Sequence, residues 1–81
     1  QNYPNPFNPE AMIDFSIPKK SNVILEIFDI TGRKVATLLD EAKEAGNYSI
    51  KFNGSNLSTG IYLYKLTTAN NVLVRKMLLV K

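Results

Sequence analysis

Eighty-one residues, 44% of them hydrophobic and 21% charged, describe one ordered domain with one small core and exclude a disordered tail. The chain has no histidine and no cysteine; this removes Ser-His-Asp and Cys-His catalysis, most zinc sites and any disulfide framework, and leaves redox compartment undetermined. The net charge of +3 is unevenly placed: all seven acids fall within residues 10–44, while Lys51, Lys65, Arg75, Lys76 and Lys81 have no acid among them. Such lysines and arginines suit outward-facing strand positions that discourage edge pairing, or an acidic partner.

The chain opens on Tyr3-Pro-Asn-Pro-Phe-Asn-Pro, with three prolines in six positions. Each proline lacks a donor and biases its predecessor to extended geometry, so residues 1–10 read as an irregular, Asn/Pro-rich lead-in to a single domain over 1–81. No basic and apolar leader stands at the start, and apolar runs such as 77–80 fall far short of the roughly 18 residues a membrane-spanning helix needs. The segment is therefore expected to be cut from a longer protein. Residues 11–17 form the first clear strand, with Ile13, Phe15 and Ile17 alternating with Asp14 and Ser16 before a polar turn at 18–21.

Residues 25–39 are the centre of the chain and read as two strands joined by a turn. Val23, Leu25 and Ile27 fall on one face of the first strand, and Ile24, Glu26 and Phe28 on the other. Asp29 can bond backbone two residues on and Gly32 can take positive φ, so the two favour a sharp reversal ahead of Arg33. Val35 and Leu38 then resume the apolar pattern less regularly. Residues 40–46 allow either one helical turn capped by Asp40 and closed by Gly46, or a solvated loop.

Tyr48, Ile50 and Phe52 give another half-buried strand, ended by a turn at Asn53-Gly54. After Leu57-Ser-Thr-Gly60, Tyr62, Tyr64 and Leu66 share a face of the next strand, and Tyr62 is the candidate for a corner tyrosine bonded to nearby backbone. A short connection at 69–71 leads to the last strand, 72–80. About seven short strands with turns between them and no convincing helix indicate an all-β, immunoglobulin-like antiparallel sandwich.

Chemistry is sparse. Asp40, Glu41 and Glu44 lack the dense oxygen spacing of a calcium loop, and Asp14 with Asp29 reads no better as an acid/base couple. Gly54 and Gly60 sit in turns without the strand-to-helix context of a phosphate loop. Basic residues are dispersed and the tyrosines face inward, so no nucleic acid is expected as a partner, and no cofactor, metal or small-molecule substrate. In the last strand both faces are apolar: Met77 and Leu79 fit the core, and Leu78 and Val80 are expected to be partly covered on the other side.

These residues together resemble a known family. Asn2 to Pro9, Val23 to Phe28 with Asp29-Ile-Thr-Gly32-Arg33-Lys-Val35, Gly46, Ser58-Thr-Gly60-Ile-Tyr62 and the ending from Lys76-Met77 are similar to the C-terminal (type A) sorting domain of the type IX secretion system. That family is similar in turn to the immunoglobulin-like domain of flagellar hook-capping proteins. Phe28 stands where the family frequently has Tyr, and Phe52-Asn53-Gly54 where Trp-Asp-Gly is common.

The resemblance implies a non-catalytic tag on a larger hydrolase or adhesin of the Bacteroidetes and related phyla. Such a tag is recognised in the periplasm by outer-membrane machinery and commonly removed by a sortase-like protease at the cell surface. On it, Lys76, Met77, Leu78, Leu79, Val80 and Lys81 are the recognition candidates; Asp29, Gly32, Arg33, Gly60 and Tyr62 are the structural turn and corner. A carbohydrate-binding accessory module is another reading, with Phe7 and Phe28 as its only aromatic candidates. A passive spacer or assembly module is a third.

Overall fold

The computed structural model describes residues 10–80. Six strands fill them: β1 (Glu10–Ile17), β2 (Ser21–Asp29), β3 (Lys34–Lys43), β4 (Gly46–Asn53), β5 (Gly60–Thr67) and β6 (Val72–Leu79). All pairings are antiparallel, in a two-stranded sheet β1-β4 and a four-stranded sheet β3-β2-β5-β6. The two face each other as a sandwich, with six strands where about seven were expected. The proline-rich lead-in lies outside the described residues except for Glu10, which already pairs with Asn53 in β1.

Alternation decides which side chains make the core. Val23, Leu25 and Ile27 are fully buried between the sheets, with Ile13, Phe15 and Ile17 of β1 opposite. Burying each such side chain is worth roughly 1.5–3 kcal/mol. Phe15 and Tyr48, register partners across β1 and β4, stack with ring centroids 5.5 Å apart. On the outer face of that sheet the Ser49 hydroxyl donates to Asp14 at 2.6 Å and the Ser16 hydroxyl to Asn47 at 2.7 Å. Polar pairs on one side and apolar pairs on the other fix the register, because a one-residue slip would exchange them.

One expectation is corrected in β3 and another explained. Residues 40–43 are neither a helical turn nor a loop; they continue the strand, with Asp40 paired to Ile24 and Lys43 to Ser21. The irregular spacing of Val35 and Leu38 comes from two register shifts, between Leu25 and Glu26 and between Ile27 and Phe28. Each shift inserts one extra residue opposite β2, and the bulges let Val35 and Leu38 pack on the core beside Ala36 and Leu39.

Candidate functional site

The four-stranded sheet gathers the residues singled out in the sequence at one of its ends. Asp29 is in register with Tyr62, and Tyr62 with Met77, so turn, corner and final strand lie in one row. Gly60 pairs with Leu79 one step further on.

The turn is held by the Asp29 carboxylate. Its Oδ1 accepts from the Thr31 amide at 2.9 Å, the Thr31 hydroxyl at 2.5 Å and the Arg33 amide at 3.1 Å. The Gly32 amide donates to the Asp29 carbonyl at 3.0 Å, and Gly32 itself sits at φ 92°, where a Cβ would be strained. The Thr31 hydroxyl first, then the Arg33 amide, hold the Asp29 carboxyl below the usual carboxylate range. The Arg33 guanidinium adds an exposed ion pair at 3.6 Å.

The corner is built on Tyr62. Its ring is buried and its hydroxyl donates to the Ser58 carbonyl at 2.7 Å, four residues upstream. Gly60 opens β5 without a positive φ, and a side chain there would meet no atom within 4 Å, so nothing in the fold demands glycine. Gly54 is different: a Cβ would lie 2.5 Å from a Leu79 methyl, so the crossover from β4 to β5 and the end of β6 are packed directly together.

The last strand divides its side chains. Leu79 is 2% exposed and Met77 packs against the core. Leu78 and Val80, expected to be partly covered, are 66% and 60% exposed, because among the described residues no element lies over the outer face of this sheet. Lys76 points to the same side and is exposed; Lys81 lies outside the described residues. The outer face also carries Ile61, Val72 and Val74, exposed apolar residues that the sequence reading did not mark. Their signal was the second apolar stripe of the two last strands, opposite the stripe that makes the core.

Chemistry-bearing groups do not converge. Asp40 and Glu41 lie on β3, while Glu44 pairs with Lys20 across 3.7 Å at the surface. No group of three or more possible metal ligands occurs among the described residues. Phe28, offered as an exposed aromatic platform, is half-buried under the Lys65 ammonium at 5.8 Å; Phe7 lies outside the described residues.

No curated protein and no solved structure matches the chain. The family of secretion system C-terminal sorting domains matches it over residues 1–81. With a match over the whole length on an all-β sandwich, the chain belongs to the C-terminal sorting domains of the type IX secretion system.

Proposed function

We propose that this domain is read by the type IX machinery through the second half of β6, and that the rest of the sandwich holds that strand in place. The observation that carries the reading is the division of Lys76, Met77, Leu78, Leu79 and Val80. Leu79 and Met77 anchor the strand in the core, whereas Leu78, Val80 and Lys76 stand exposed on the sheet's outer face. A receptor that pairs with this open edge gains backbone hydrogen bonds, apolar contacts at Leu78 and Val80, and an ionic contact at Lys76 with acidic groups. Lys81 would extend the basic end of the same signal.

On this route the parent protein crosses the inner membrane by its own signal peptide and transits the periplasm. The outer-membrane machinery then recognises the domain, and a sortase-like protease removes it as the parent reaches the surface or medium. The domain is a substrate in that sequence and contributes no catalytic group.

The test is export of a reporter fused to the domain in a type IX-competent host, measured beside thermal melting of the purified domain. Deleting residues 77–81 should abolish export, but it also removes Leu79 from the core. Leu78→Ser with Val80→Ser, and Lys76→Ala with Lys81→Ala, alter only exposed or terminal groups and should lower export with the melting temperature kept. Parent-level export of both double variants would sink the reading and favour a spacer.

A further inference from the structure

Among the described residues β3 and β6 are the two edges of the four-stranded sheet, with no strand paired outside them, and their side chains are complementary. We propose that the sheet continues from one copy of this chain into the next, β6 of one copy pairing antiparallel with residues 39–43 of β3 in its neighbour. This is independent of the export reading.

The hydrogen-bonding phase of both edges permits it. The Thr68 amide donates to the Asn71 carbonyl at 2.9 Å, which makes 68–71 a hydrogen-bonded pair. Antiparallel alternation then turns the backbone groups of Val72, Val74, Lys76 and Leu78 toward the open edge. Carried through β5 and β2, the same alternation leaves Asp40 and Ala42 facing the open edge of β3.

Lys76 opposite Asp40 is therefore a hydrogen-bonded register. It also sets Arg75 opposite Glu41, Met77 opposite Leu39 and Val74 opposite Ala42. Lys76 and Asp40 share the outer face, and Arg75 and Glu41 the inner one, so from Leu39 to Ala42 each charge meets its opposite and each apolar residue an apolar one, while Lys43 at the end of the contact falls opposite Leu73. Shifting by two residues sets Arg75 against Leu39 or Lys43 instead. Among the described residues, Arg75, Lys76 and Asp40 have no ion-pair partner, while Glu41 pairs with Lys43 at 2.9 Å.

A two-fold pairing of β6 with itself is disfavoured in the registers centred on Arg75 or Lys76, which set that residue against its own mate, and the other registers leave both cations opposite apolar residues. The bulges at Val35 and Leu38 twist the other half of β3 away from pairing and keep the contact short. Such an interface is head-to-tail, so it does not close into a dimer and grows by addition.

Sedimentation equilibrium of the 81-residue chain tests this, over concentrations up to about 1 mM, where weak association is read. The weight-average mass should rise with concentration at low salt and fall back as salt is added. Arg75→Glu with Lys76→Glu, and Asp40→Lys with Glu41→Lys, should each stay at single-copy mass. An equimolar mixture of the two, and a chain carrying all four changes, should associate again, with thermal melts showing which variants are folded. The proposal is overturned by a parent chain that stays monomeric throughout. It is equally overturned if either charge variant alone still associates, or if neither the mixture nor a folded four-change chain recovers.

Discussion

One oxygen of Asp29 accepts from two amides and a hydroxyl within four residues, and this sets how the turn responds to acid. The folded carboxyl titrates below its unfolded value, so its contribution to stability is complete above the unfolded pKa and is lost as pH falls through the folded one. Asp29→Asn should lower the denaturant midpoint at neutral pH, and its unfolding curve should converge on that of the parent in acid below the carboxylate range. A constant offset between the two curves down to low pH would show that geometry, and not charge, holds the turn. This part of the fold was legible in the sequence because it is local: Asp, then Gly three residues on, names both the acceptor and the positive-φ position.

Elements were legible where the period of two was clean, as in β1 and β2, and not where tertiary pairing overrode a local pattern. Asp40-Glu-Ala-Lys43 has the composition of a helix start, but its partner is Ser21 to Ile24 of β2, and the cross-strand ladder prevails over propensity. The exposure of Leu78 and Val80 was not legible either, because it depends on which sheet the final strand joins and on none of the described elements lying over that sheet's outer face. Close packing of one element on another is also hidden from local patterns. Gly54 reads as a turn glycine, yet its site is filled by Leu79 methyls. Gly54→Ala should therefore cost roughly 1–3 kcal/mol by overpacking a buried site, measured by urea denaturation. A change within a few tenths would mean that Leu79 moves aside freely.

At the scale of the whole molecule, a domain of this size holds only about 3–5 kcal/mol of net stability. Leu79 is among its largest fully buried side chains, and truncating such a leucine costs about 2–5 kcal/mol. Leu79→Ala should leave a large unfolded fraction at 37 °C by circular dichroism, where Leu78→Ala, two-thirds exposed, should melt like the parent; equal melting of the two would contradict the burial. The small sheet has a consequence in time. β1 and β4 pair within their sheet through partners such as Ser16 and Asn47, 31 residues apart, and β2 waits for β5 across a similar span. Among the described strands only the β2-β3 and β5-β6 hairpins are local. A topology dominated by distant pairings folds in roughly milliseconds to seconds, not microseconds. On the export route proposed above, that delay gives the newly made chain a period in which it is still threadable, before the sandwich locks the signal strand into its readable form.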